Sequence, residues 1–183
     1  CPEVMVHAVA TDNDLSKLLT DKTHLVIGPG LGESKWSHTL FTTAMSSELP
    51  KVIDADGLNL LAKEDKKYDL SNAILTPHPK EAARLLATTT DVIQQDRKAA
   101  LGSICTQYAT CCVLKGNNTI ISHNIAPDIY LCNQGNASMA TAGMGDILTG
   151  IIAGLLAQGL TPLHAACLGV VLHAKCGDLA SSN

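Results

Sequence analysis

The sequence predicts an α/β fold: a three-layer sandwich with helices on both sides of a mostly parallel central sheet. Three observations predict it. Short apolar runs alternate along the chain with segments of helical periodicity. The runs end in glycine- or proline-rich loops, as at Gly28-Pro29-Gly30-Leu31-Gly32 and Thr76-Pro77-His78-Pro79. The 183 residues, 46% apolar, suffice for one sizeable core and contain no repeat or low-complexity linker to divide them. Residues 1–183 are therefore read as a single domain.

Residues 24–27 form the first predicted strand, and a helix follows over residues 34–47. Residues 51–54 form the second strand, with a short helix over 56–62. Ala73–Leu75 is the third strand, stopped by Thr76-Pro77. Pro79 suits the first position of a helix to residue 86, because a helix start leaves that N–H unbonded anyway. Thr90 or Asp91 is expected to cap one helix running to about residue 109. Cys111–Leu114 is the fourth strand, and residues 119–121 and 129–131 pair as a hairpin. Two helices close the chain, over residues 146–158 and Pro162–Ser181. Ile147, Leu148, Ile151, Ile152, Leu155 and Leu156 give the first a wide apolar face, so it should be largely buried. The second, with Ala165, Ala166, Leu168, Val170, Val171 and Leu172, is apolar on most sides. It is expected to serve as core or as a subunit interface.

Composition excludes several functions. The net charge is −4, no basic block occurs, and aromatics are only 3%. A nucleic-acid backbone is therefore not the expected partner. No run reaches membrane-spanning length. The seven cysteines show no C-x-x-C spacing, and Cys111 and Cys112 are adjacent. They read as reduced, mostly buried thiols of a cytoplasmic protein. The histidines do not cluster at ligand spacing, so no protein-built metal cage is expected.

Ligands of α/β sheets bind at the carboxyl ends of the strands, and four loops there carry unusual residues. The run 135–146 places small residues and Gly143-Met144-Gly145 directly before a hydrophobic helix. Free N–H groups and the positive dipole end make such a start an anion site. Asp146, where the helix begins, could merely cap it. Beside a phosphate site it could instead deprotonate a hydroxyl nucleophile. Lys115-Gly116-Asn117-Asn118-Thr119 offers a point charge, close backbone approach and a hydroxyl, or else simply a turn. His78 is held between two prolines at a strand end, and Glu81 could cap the following helix or touch a ligand. The Gly28–Gly32 turn does not fit dinucleotide-fold spacing. Asp54 and Asp56 are expected to point apart rather than form a metal pair, with Asp56 as a helix cap.

Together these segments resemble the NAD(P)H-hydrate dehydratase family. The resemblance rests on Val26 to Gly32, Asp54-Ala55-Asp56-Gly57-Leu58-Asn59, Leu75 to Ala82, Val113 to Gly116, Gly135-Asn136 and Gly150 to Leu155, in that order. It implies a ribokinase-like fold and repair of hydrated NADH or NADPH. A nucleotide would phosphorylate the ring hydroxyl, and phosphate would then leave as the double bond returns. The resemblance further implies ADP, less often ATP, as co-substrate and Mg²⁺ with the phosphates. It implies Asp146 as the base, Gly143, Met144 and Gly145 around the transferred phosphoryl group, and Lys115 to Thr119 with Gly145 on the nucleotide. Gly30, His78 and Asp146 would contact the hydrated cofactor. A homotetramer and a fused epimerase domain are further implications. The chain departs from the family's usual residues at Gly57, Ser138 and Ala142, and it is expected to lack an additional N-terminal strand–helix segment. The competing expectation is a vitamin-precursor kinase of the same fold.

Overall fold

A computed structural model describes residues 3–182 of the chain. Cys1 lies outside them. Six strands form one sheet in the order β1-β2-β3-β4-β5-β6: β1 Leu25–Ile27, β2 Lys51–Ile53, β3 Ala73–Leu75, β4 Cys111–Leu114, β5 Thr119–His123 and β6 Ala126–Cys132. The first four strands are parallel, and β5 and β6 add an antiparallel hairpin. The mostly parallel sheet expected from the sequence is thus present.

Each face of the sheet is covered, so β2, β3 and β4 are buried along their whole length. Side chains alternate across the pleat. Ile53, Leu75, Cys112 and Leu114 enter one core with Phe41, Leu58, Leu101 and Ile104. Val52, Ile74, Cys111, Val113 and Ile121 enter the other with Leu148, Ile152, Ala166 and Val170. On the first side lie α2 Lys35–Met45, α3 Asp56–Leu61, α4 Pro79–Leu85, α5 Thr90–Gln95 and α6 Arg97–Tyr108. On the second lie α7 Met144–Ala157 and α8 Pro162–Ser181. Before β1 the chain forms α1 Asp12–Leu19, which packs on α2 and was not expected. Among the described residues no helix is long and apolar enough to cross a membrane.

Four expectations need correction. The single helix over residues 90–109 is two, because Asp96 leaves helical geometry at φ −142° and its side chain accepts from the Ala99 N–H to start α6. The cap of α5 is Thr89, not Thr90 or Asp91. Asp56 does not cap α3. Ala55 takes that position at φ 49° without a side-chain cap, so Asp56 becomes the first residue of the helix. Asp54 and Asp56 do point apart, but alternation is not the reason, since residues two apart share a face. The turn at Ala55 separates them.

The sheet closes tightly at its first loop. A Cβ on Gly28 would lie 1.7 Å from the Asp54 carbonyl oxygen, and φ there is +125°. Only glycine lets β1 and β2 end side by side in this way.

The lone phenylalanine, Phe41, is fully buried and meets Tyr68 edge-on at 6.2 Å. Phe41→Ala is expected to cost about 3–5 kcal/mol, read as a lowered urea midpoint with an unchanged slope.

Candidate active site

Asp54 follows β2 directly and shares the face of Val52, toward α7. It is 1% exposed. A carboxylate so buried costs several kcal/mol unless it is paired and hydrogen-bonded. Both oxygens are used: Oδ1 accepts from Lys115 Nζ at 2.7 Å, and Oδ2 from Thr149 Oγ1 at 2.7 Å. Lys115 is the first residue after β4, and its own N–H donates to the Pro77 carbonyl. Its Nζ also lies 3.9 Å from Glu81 Oε2. One ammonium thus gathers the ends of β2, β3 and β4 beneath α7.

The His78 loop is locked from both sides. His78 is the N-cap of α4, its Nδ1 accepting from the N–H groups of Lys80 and Glu81. Glu81 Oε2 accepts from the His78 N–H at 2.8 Å, completing a capping box. Since Nδ1 accepts, the neutral ring carries its proton on Nε2, 3.3 Å from Glu81 Oε1. Burial, then the nearby Lys115 charge, hold His78 below the usual imidazole range. Burial likewise raises Glu81, against the pull of Lys115. His78 is therefore a neutral group, and its structural cap and its exposed outer edge coexist.

The Lys115–Thr119 loop is held from behind by a residue the sequence reading passed over. The Arg97 guanidinium donates to the carbonyls of Leu114, Lys115, Asn117 and Asn118. It comes so close that a Cβ on Gly116, at φ +140°, would lie 2.7 Å from Arg97 Nη1. Thr119 Oγ1 donates to the Gly116 carbonyl, and Asn118 takes a left-handed turn at φ 56°.

The start of α7 is open. Gly143 is its N-cap at φ 88°, and no side chain caps it. The cap reading of Asp146 is therefore incorrect: Asp146 is the third residue of the helix and exposed. The N–H groups of the first turn and the helix dipole face outward together. Gly145 sits over the ion pair, a Cβ there falling 3.5 Å from Lys115 Nζ and 3.7 Å from Asp54 Oδ2. The cation thus lies directly beneath the amide groups that would receive an anion.

A cleft of about 590 Å³ opens beside this point, lined by Lys115, Gly116, Asn117, Thr119, Met144 and Gly145 at one end. Its roof is a short 3-10 turn, Ala137–Met139, inside the small-residue run. Asp178 on α8 clamps that roof, accepting from Asn136 Nδ2 and the Gly135 N–H, each at 2.9 Å. These bonds hold the Asp178 carboxyl below its ordinary range.

The fold thus brings together Lys115, Gly116, Asn117, Thr119, Met144 and Gly145 around one opening. Asn118 does not line it, its carbonyl being turned to Arg97. His78 joins through Glu81 and Lys115. Gly30, at φ +66°, stands exposed on the neighbouring loop with open space beside its Cα. That loop is anchored by Asp56 Oδ2, which accepts from the Gly32 N–H at 2.8 Å. Asp54, Thr149 and Arg97 are the residues sequence reasoning missed. A polar Thr149 on the apolar face of Leu148 and Ile152, and a carboxylate ending a buried strand, were signals that could have paired the first two.

Removing the cation should expose the cost of the buried charge. Lys115→Met is expected to destabilise the fold by about 3–5 kcal/mol, and adding Asp54→Asn should recover part of the loss. Equal stability of the single and double variants in urea titrations would contradict this coupling.

Comparison with known proteins identifies the family. A family model described as NAD(P)H-hydrate dehydratase matches residues 1–183. The chain is 47% identical over 180 residues to the bifunctional NAD(P)H-hydrate repair enzyme Nnr of Coxiella burnetii, covering 98% of this chain and 36% of that protein. It is 41% identical over 186 residues to the ADP-dependent (S)-NAD(P)H-hydrate dehydratase of Neisseria meningitidis serogroup B, covering 97% of this chain and 60% of that one. A Bacillus subtilis ADP/ATP-dependent NAD(P)H-hydrate dehydratase, co-crystallized with ATP/Mg²⁺ and soaked with CoA, superposes with a TM-score of 0.78 at 29% identity. That alignment covers 93% of this chain and 64% of that one. The chain spans 31–36% of the length of the bifunctional bacterial relatives matched first. A ribokinase-like sandwich, an uncapped glycine-rich helix start and a family match over its whole length together make the chain a member of the NAD(P)H-hydrate dehydratase family.

Proposed function

We propose that this chain carries the dehydratase activity of a nicotinamide-cofactor repair enzyme, with ADP as the preferred phosphoryl donor and ATP as the lesser one. The observation that carries the reading is the uncapped start of α7: Asp146 stands in its first turn, and the preceding Gly145 lies over the Lys115 charge. Nucleotide phosphates would lie on the N–H groups of Gly143, Met144 and Gly145. Lys115, Gly116, Asn117 and Thr119 would hold the nucleotide along the cleft, with Asn118 shaping the turn between them. Gly30 and His78 would hold the hydrated ring on the opposite side.

The chemistry follows from these positions. Hydroxide is a poor leaving group and phosphate a good one. Asp146 would take the proton of the ring hydroxyl as its oxygen attacks the terminal phosphorus, forming the O–P bond and releasing the shortened nucleotide. The ring nitrogen's lone pair would then expel phosphate and restore the double bond. Lys115 is fixed by Asp54, so it would meet developing negative charge without reorganising.

Among the described residues no three His, Cys, Asp or Glu side chains converge on one point. Both Asp54 oxygens are engaged by Lys115 and Thr149. This donor set fits Mg²⁺ brought in on nucleotide phosphates, where it would neutralise their charge.

The wider setting belongs to the same reading. A subunit interface is supported by Leu168 and Leu172, which stand exposed on α8 while Ala165, Ala166 and Val170 of the same helix are buried, and the reading takes the assembly as a cytoplasmic homotetramer. A fused epimerase is supported by the bifunctional relatives.

Incubating hydrated NADH with ADP and the protein should restore reduced-nicotinamide absorbance and release AMP and phosphate. A vitamin-precursor kinase would instead leave the absorbance flat with either nucleotide, and that result would reject the dehydratase reading. Asp146→Asn is expected to keep ADP binding while slowing turnover by at least about two orders of magnitude. Retained turnover would remove Asp146 as the base.

A further inference from the structure

Gly30 and His78, the two groups assigned to the hydrated ring beside Asp146, sit on different loops, one after β1 and one after β3. A chain of polar side chains joins those loops. Asp56 Oδ2 accepts from the Gly32 N–H at 2.8 Å, two residues beyond Gly30. Asp56 Oδ1 accepts from Asn59 Nδ2 at 3.4 Å. Asn59 Oδ1 in turn accepts from Arg84 Nη1 at 2.5 Å. Arg84 belongs to α4, the helix whose N-cap is His78. Its charge also reaches the imidazole: after burial and Lys115, it is the next cause that holds His78 below the usual range.

The residue types follow from the two ends of this chain. A backbone N–H and a guanidinium can only donate. Position 56 must therefore accept twice, and position 59 must accept on one side and donate on the other. A carboxylate and an amide meet those needs. Asp56 also opens α3, a helix start that has no side-chain cap. Its carboxylate would ordinarily serve such a start. Both oxygens are turned instead to other elements, the Gly30 loop and the Asn59 amide. Gly32 and Arg84 are exposed, so what these bonds chiefly remove is the freedom of the Gly30 loop relative to α4.

Resting on the reading that Gly30 and His78 receive the hydrated ring, we propose that Asp56, Asn59 and Arg84 are positioning residues that set the Gly30 loop against His78 and so preorganise the hydrated-cofactor side of the site. None of the three lines the nucleotide cleft. Their influence is therefore selective for one of the two substrates.

The test is steady-state recovery of reduced-nicotinamide absorbance, with hydrated NADH varied at saturating ADP and ADP varied at saturating hydrated NADH. Arg84→Met keeps the apolar stem and removes the donor. It should raise KM for hydrated NADH by at least about fivefold, the scale of one lost hydrogen bond. KM for ADP and kcat should stay within about twofold, because the loss falls on binding of one substrate. Arg84→Lys, which still donates, should recover most of the difference. Asp56→Asn should reproduce the Arg84→Met pattern, since its amide sets a donor against the Asn59 or Gly32 donor. An unchanged KM for hydrated NADH in both Arg84→Met and Asp56→Asn overturns the positioning role. So does an equal rise in both KM values, which a general loosening of the fold would give, and so does an Arg84→Lys variant no better than Arg84→Met. Wild-type protein that recovers no absorbance with ADP or ATP overturns instead the reading on which the proposal rests.

Discussion

The site depends on one buried ion pair. Asp54 and Lys115 come from different strands, 61 residues apart, and neither charge is stable in the interior without the other. Thr149 adds a third point of attachment from α7. The pair therefore fixes how far the helix start stands above the sheet, and it places a cation under Gly145. It also explains how a carboxylate can follow β2 directly into the interior.

A second layer of constraints surrounds this pair and acts through backbone groups. Arg97 grips the carbonyls of the loop after β4, His78 and Glu81 exchange hydrogen bonds at the start of α4, and Asp178 pins the roof of the cleft to α8. None of these side chains needs to contact a ligand to matter. Each removes freedom from a loop that would otherwise lose entropy on binding. The loops around the cleft are thus largely held by the protein itself, which suits the proposed phosphoryl transfer, whose barrier would fall mainly by positioning and charge stabilisation.

Much of the fold was legible in the sequence. The alternation of apolar strands with helical segments set the parallel sheet, and Ala73–Leu75, Cys111–Leu114 and Pro162–Ser181 fall where periodicity placed them. The glycine-rich helix start was equally plain. The break at Asp96 was not, because Asp is tolerated inside a helix and only its backbone geometry reveals that it caps the next one. The role of Asp56 was misread for a related reason. A cap position is a matter of dihedral angles, and the strained Ala55 gives no compositional warning.

By itself the sequence determined the fold class, the loops that carry chemistry and the small-residue, anion-accepting character of the α7 start, because these follow from local periodicity and residue type. It also carried the resemblance to a dehydratase family that the comparisons bear out. The tertiary structure alone decided that Lys115 and Thr149 both donate to Asp54, that Arg97 braces the loop and that Asp146 is free of capping. The physical reason is that burial and pairing are properties of distance in space. Residues dozens of positions apart acquire their charge state and their partners only when the sheet and its two helical layers close around them.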